Sequence, residues 1–252
     1  VIRDNGVPTY LAADIAYHKN KYERGFKKMI NIWGADHHGY VARVKAAMEA
    51  LGFDADKLEI LLLQMVSLFR NGELVKMSKR TGRAITLNEL IEEVGTDAAR
   101  YFFIMRSLDT QLDFDLDLAT SHSNENPVYY IQYANARIFS IYRQVAENGD
   151  TFDMTWKNVV WNKLQEEREL ELIKKMAAYP EEIRKAAADR APHRIAHFVY
   201  EMAGLFHAFY NNCHIIQSDK ELEEARLALV TAVQITIANS LAVLGISAPE
   251  KM

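Results

Sequence analysis

Cysteine is nearly absent. Cys213 stands alone among 252 residues, so no internal disulfide can form. That usage fits a reducing cytosol. No uninterrupted apolar run reaches the roughly 18–20 residues needed to span a bilayer, and no basic-then-apolar leader opens the chain. The Gly-x-x-x-x-Gly-Lys-Ser/Thr phosphate loop is missing. There is no internal repeat and no low-complexity segment. Excess positive charge is lacking too: 30 Lys and Arg face 34 Asp and Glu, for a net charge of −4. The deficit is shared, with 16 basic and 18 acidic side chains in residues 1–125 and 14 and 16 in the rest. This argues against a protein that coats nucleic acid nonspecifically, so any such contact must use local patches, shape and stacking.

What remains is an ordinary globular composition, 49% hydrophobic and 25% charged, long enough for one large domain or two ordinary ones. The opening VIRDNGVPTY lacks a methionine and carries hairpin-turn chemistry at Asp4-Asn5-Gly6. With no strand before it to pair, it suggests a chain cut from a longer protein. Residues 10–24 read as a helix ended by Gly25. KMINIWGAD (28–36) reads as a buried strand, 40–52 as a helix closed by Gly52, and the apolar run 58–69 as strand-like over much of its length. That order suggests part of a parallel α/β sheet.

Thr86 and Glu89 have capping-box spacing ahead of a helix closed by Gly95, and 96–107 reads as a second helix capped near Thr96 or Asp97. In DTQLDFDLDLAT, Asp113, Asp115 and Asp117 fall on one side of an extended segment. An acidic metal site is the alternative, but the glycine and terminal glutamate of an EF-hand loop are missing. From residue 124 the texture becomes helical. Asn126-Pro127 opens a long helix with proline at its first position, and helical stretches follow near 156–178, 180–189, 192–212 and 219–244. No strand signal competes, so this half reads as a helix bundle beginning near residue 120.

Three constellations could carry chemistry. ELVKMSKRTG places Lys76, Lys79, Arg80 and Arg83 within eight residues, bracketed by Gly72 and Gly82. Lysines are compact charges suited to polyphosphate, and glycines let backbone approach closely. Such clusters are nonetheless more often solvated surface. WGADHHGY puts Asp36, His37 and His38 at the carboxyl end of a parallel strand, where ligands of open α/β sheets bind. An ordinary polar turn is the plain alternative. Tyr10 and Asp14 lie one helical turn apart, so a carboxylate there can accept a bidentate guanidinium beside an aromatic ring.

KMSK at 76–79 resembles the KMSKS signature of class I aminoacyl-tRNA synthetases, with Arg80 in place of the final serine. TYLAADIAY, WGADHHGY, DAARYFF, NPVYYIQYANARI and the closing LGISAPEKM resemble arginyl-tRNA synthetase in sequence and order, over essentially the whole chain. The class I His-Ile-Gly-His signature does not occur in the chain.

The resemblance implies the second half of a Rossmann-type fold (1–70), a loop and stem-contact region (71–119) and an α-helical anticodon-binding domain (120–252). It implies arginine activation by ATP, with accompanying Mg2+ and no tightly bound cofactor, then transfer to tRNA(Arg). Lys76, Ser78 and Lys79 would serve catalysis. These three, with Met77, Asp36 and His37, would contact ATP. Tyr10, Asp14 and His38 would hold arginine. Tyr130, Tyr133, Asn135, Arg137, Tyr210, Asn211 and Met252 would contact tRNA. No metal ligands are implied. The family further implies a cytoplasmic protein, monomeric at full length, with the present chain an inactive C-terminal portion. Alternatives are a tRNA-binding module without catalysis, or another class I synthetase; Tyr10 and Asp14 disfavour the latter, because other substrates lack the guanidinium.

Overall fold

A computed structural model describes residues 1–75, 85–149 and 155–252. The chain divides into two compact units: Val1–Val66 with Leu108–Leu112, and Ser67–Ser107 with Asp113–Met252. The expected middle region, 71–119, is therefore not a unit of its own; nearly all of it clusters with the helical half.

The first unit opens on its own small hairpin. Ile2 bridges Pro8 antiparallel, and Gly6, at φ +79°, turns the chain between them. The partner of the expected hairpin thus follows the turn. Helix α1 (Tyr10–Glu23) leads to strand β1 (Met29–Gly34), helix α2 (His38–Ala50) and strand β2 (Leu58–Leu63). β1 and β2 are parallel, in register from Met29 opposite Leu58 to Gly34 opposite Leu63. Met29, Val44, Met48 and Leu58 form the core, with Leu11 and Ile15 of α1 and Tyr40 and Ala47 of α2 packed on it. β1 is buried on one face only: Ile30 and Ile32 are exposed. The expectation of a fully buried strand fails because α1 and α2 cover the face carrying Met29 and Asn31.

The 58–69 run is two strands, broken at Gln64-Met65. Strand β3 (Val66–Arg70) joins a second sheet of order β4-β3-β5, with β4 (Glu73–Leu74) and β5 (Leu112–Asp115). β3 and β4 form a hairpin turned by Asn71 and Gly72, both at positive φ, the geometry that favours Asn-Gly. Helix α3 (Leu87–Val94) carries the expected reciprocal cap between Thr86 and Glu89. Helix α4 (Thr96–Ile104) begins at Thr96, next to its N-cap Gly95, and no side chain caps it. Asp97 instead binds Ser247. The extended reading of the Asp113, Asp115 and Asp117 segment stops at Asp115, which caps the short helix α5 (Leu116–Thr120). The Asp117 carboxylate accepts the Asn71 N–H.

The bundle comprises α6 (Pro127–Glu147), α7 (Glu167–Asp189), α8 (His193–Asn212) and α9 (Lys220–Leu244). Asn126 caps α6, with proline at the first position, as read from sequence. Two expectations fail. Residues 155–166 contain one 3-10 turn, Trp161–Lys163, instead of a helix, and α7 runs unbroken through Pro180. Packing along α8 and α9 holds the helix across the one hydrogen bond that proline removes. α9 is long and apolar enough to cross a membrane by length and composition. Here it is the core helix, lying against α6, α7 and α8 with Leu227, Val230, Val233, Ile237 and Leu241 buried.

Candidate functional site

In the first unit, β1 delivers Trp33 and Gly34 to the carboxyl edge of the parallel pair. A tight turn then carries Asp36 and His37, and His38 begins α2. All three side chains are exposed, and the Asp36 carboxylate pairs with His37 Nδ1 at 3.0 Å. A Cβ on Gly34 would lie 2.5 Å from Asp36 Oδ1, so a side chain there would push the exposed Asp36 carboxylate aside. On α1, Tyr10 is 83% exposed and Asp14 is half-buried. Neither side chain is hydrogen-bonded to another described residue, which leaves the Asp14 carboxylate a free acceptor.

Behind Asp14 lies a set of residues that the sequence reading passed over. His18 and Asn31 are buried. Lys21 Nζ donates to Asn31 Oδ1 at 3.0 Å. That assignment leaves Asn31 Nδ2 as the donor to His18 Nε2, at 2.5 Å. His18 Nδ1 then carries the proton and donates to the Asp14 carbonyl, 2.7 Å away. The signal was available: His18 continues the Tyr10, Asp14 stripe at the same four-residue spacing.

Lys76, Met77, Ser78 and Lys79 lie outside the described residues.

In the second unit, α6 and α8 build an aromatic and cationic ridge. Tyr129, Tyr133 and Arg137 recur every four residues and so share one face of α6. Tyr129 and Tyr133 stack at 6.1 Å, inclined by 7°. The Arg137 guanidinium lies 4.6 Å from the Tyr133 ring centre and 4.5 Å from that of Tyr210, and donates to the Tyr133 hydroxyl. His207 stacks on Tyr133 at 5.8 Å and sits 4.6 Å from Tyr130. Burial lowers the His207 pKa, assisted by the Arg137 charge; the bond to the Tyr130 carbonyl opposes this. Burial raises the Tyr130 hydroxyl. Tyr130 also packs on Tyr200 and is half-buried. Sequence reasoning named Tyr130, Tyr133, Arg137 and Tyr210 of this ridge, and missed Tyr129, Tyr200 and His207.

Asn135 is a correction. It is fully buried, its amide donates to the Pro249 carbonyl at 2.8 Å, and its oxygen accepts from Gln234. Facing inward from α6, it anchors the C-terminal segment and cannot reach a base. The same segment is held by Gln132, which donates to the Ser247 carbonyl at 3.0 Å and to Asp97 at 2.8 Å. Arg100 Nε donates to the Leu244 carbonyl. Met252, 55% exposed, thereby ends beside an open cleft of about 520 Å³ lined also by Gly95, Asp97, His122, Tyr129 and Gln132. Asn211 is exposed near the end of α8.

Comparison with known proteins gives this arrangement its context. Residues 131–252 match the DALR anticodon-binding domain. Over its full 252 residues the chain is 58% identical to arginine–tRNA ligases of Desulforudis audaxviator and Carboxydothermus hydrogenoformans, and it spans 45% of their length. A crystal structure described as an arginyl-tRNA synthetase from Campylobacter jejuni superimposes with a TM-score of 0.89 at 40% identity, covering all of this chain and 54% of that one. The Thermus thermophilus arginyl-tRNA synthetase shares the fold, with a TM-score of 0.80 at 24% identity, covering all of this chain and 50% of that one. Along its whole length the chain is similar to arginyl-tRNA synthetases, and it spans about 45% of the length of the ligases it matches.

Proposed function

We propose that the chain is the C-terminal part of an arginine–tRNA ligase that activates arginine with ATP and transfers it to the 3′ end of tRNA(Arg). The observation that carries this reading is the 58% identity to arginine–tRNA ligases sustained along the entire chain. The geometry supports it at two places.

On α1, Asp14 offers an unpaired, half-buried carboxylate at the spacing that suits a guanidinium, whose planar fork matches two oxygens where an ammonium does not. Tyr10 flanks it, and His38 is the remaining arginine contact in this reading. The β1-α2-β2 unit belongs to a larger Rossmann-type sheet, with Asp36 and His37 at its ligand-binding edge. Lys76 and Lys79 neutralise the departing pyrophosphate, Ser78 donates to it, and Met77 anchors the loop. This is catalysis by positioning and charge stabilisation. ATP enters with Mg2+ as substrate, and no tightly bound cofactor is called for. The protein works as a cytoplasmic monomer.

In the second unit, the Tyr129–Tyr133–Arg137 face with Tyr210 and His207 is a stacking surface for unpaired bases. Asn211 and Met252 flank it. The ridge also favours a second reading, tRNA binding by this chain without catalysis, since the His-Ile-Gly-His signature does not occur in it.

Charging of tRNA(Arg) with labelled arginine by the full-length polypeptide tests the proposal. The expected result is charging with arginine and not lysine, reduced at least 100-fold by Lys79→Ala, as for loss of one charge-stabilising donor. Charging indifferent to the amino acid, or to Lys79, would overturn it.

A further inference from the structure

Tyr10, Asp14 and His18 form a single stripe along α1, and exposure falls steeply down it. Tyr10 is 83% exposed, Asp14 is half-buried and His18 is 2% exposed. Only the buried end is tied to the sheet. Asn31 lies on β1, in register with Ile60 of β2, and its amide hydrogen-bonds the His18 ring.

The hydrogen bonds have one consistent direction. Lys21 is a pure donor, so it fixes the Asn31 oxygen. The Asn31 amide nitrogen must then donate to His18 Nε2, and His18 Nδ1–H must donate to the carbonyl of Asp14. The ring edge also meets Trp33 of β1 at 6.4 Å. Every polar atom of Asn31 and His18 that faces the interior is therefore used in a bond that ties the Asp14 turn to the strand.

We propose that Lys21, Asn31 and His18 are positioning residues for arginine selection: they lock the rotation of α1 on β1 and so preset the Asp14 carboxylate for the guanidinium. This rests on the reading of Asp14 as the guanidinium acceptor. The magnitude is geometric. A helix with side chains is about 10 Å across, so a rotation of about 20° displaces a carboxylate at its periphery by about 2 Å. Displacements of about 1 Å are enough to cost on the order of 100-fold where reacting groups must be aligned. Leu11, Ile15 and Tyr22 of α1 are only partly buried against the core, and Tyr22 is further held near the end of the helix by its bond to the Asp54 carbonyl. The polar chain adds the directional tie beside Asp14.

The test uses the full-length ligase and four variants, each measured for arginine KM, ATP KM, kcat and thermal unfolding. Asn31→Leu keeps the branched side-chain skeleton, but it disconnects Lys21 from His18. It should fold, and should raise the arginine KM at least tenfold with the ATP KM within twofold. Asn31→Asp still accepts from Lys21 but has no N–H to give His18 Nε2, so it breaks only the link to the ring; it should also raise the arginine KM with the ATP KM within twofold. His18→Leu should reproduce Asn31→Leu. Asp14→Asn tests the underlying reading separately. If Asp14→Asn raises the arginine KM and Asn31→Leu leaves it within twofold, the positioning role is wrong and the acceptor role stands. If Asp14→Asn changes nothing, both fall. A joint rise in both KM values with a lowered unfolding temperature would mark a merely structural pair and overturn the proposal.

Discussion

Replacing Glu169 with glutamine should destabilise the helical unit by about 3–5 kcal/mol, the usual cost of leaving one member of a buried ion pair alone. Glu169 is fully buried, and the Arg226 side chain is 8% exposed. One carboxylate oxygen accepts from Arg226 Nε at 2.6 Å, and the other accepts the Glu166 N–H at 2.9 Å as part of the α7 cap. Arg226 spends a further donor on the His214 carbonyl. A glutamine has one oxygen and one NH2 group, so a donor must face either the guanidinium or the Glu166 N–H. The charge of Arg226 is left uncompensated in a site water does not reach. Glu181 and Arg184 make a similarly short pair at the surface, with side chains 47% and 68% exposed; Glu181→Gln should leave the urea midpoint almost unchanged. Urea unfolding of the chain, with the bundle followed by far-UV circular dichroism, gives both numbers. Replacing both partners, Glu169→Leu with Arg226→Met, should recover most of the loss. Equal effects from Glu169→Gln and Glu181→Gln would refute the reasoning.

Other expectations follow from the ridge and the C-terminal segment. His207 has a lowered pKa, so between its folded value and the ordinary value near 6.5 the unfolded chain binds more protons. Its contribution to stability is therefore complete above about pH 6.5 and is lost as pH falls through the folded value. His207→Phe should flatten the stability profile between pH 5 and 7, read from urea midpoints. Asn135→Ala removes two buried hydrogen bonds at about 0.5–1.5 kcal/mol each. It should speed carboxypeptidase removal of Met252 while the bundle stays folded. Arg137→Ala removes a cation held by two rings; it should weaken tRNA(Arg) binding about tenfold or more yet lower stability by only about 1–2 kcal/mol.

The sequence showed most of what is set locally. Pro127 after Asn126 marked the start of α6, and Thr86 with Glu89 marked the cap of α3, because each signal is a short-range hydrogen-bonding pattern. The Asn71-Gly72 turn between β3 and β4 was equally legible, whereas the break that parts β2 from β3 falls at Gln64-Met65, where no glycine or proline marks it. Pro180 misled for the opposite reason: its local preference to end a helix was overridden by packing along the whole of α7. Among the candidate residues of α6, burial sets Asn135 apart from its neighbours. Tyr133 and Arg137 could be read from their spacing, while Asn135, two positions from either, faces the interior. No pattern on α6 alone reveals that, since its partners Gln234 and Pro249 are about a hundred residues away. His18 was missed because its partner Asn31 lies on the neighbouring strand.

In the proposed function, the helical unit reads the anticodon through the α6–α8 ridge. Equilibrium binding of the chain to tRNA(Arg), and to the same tRNA with its anticodon replaced, tests it most directly at one fixed salt concentration. Anticodon replacement should weaken binding at least tenfold, with the difference abolished by Arg137→Ala. Equal affinity for both tRNAs would contradict it.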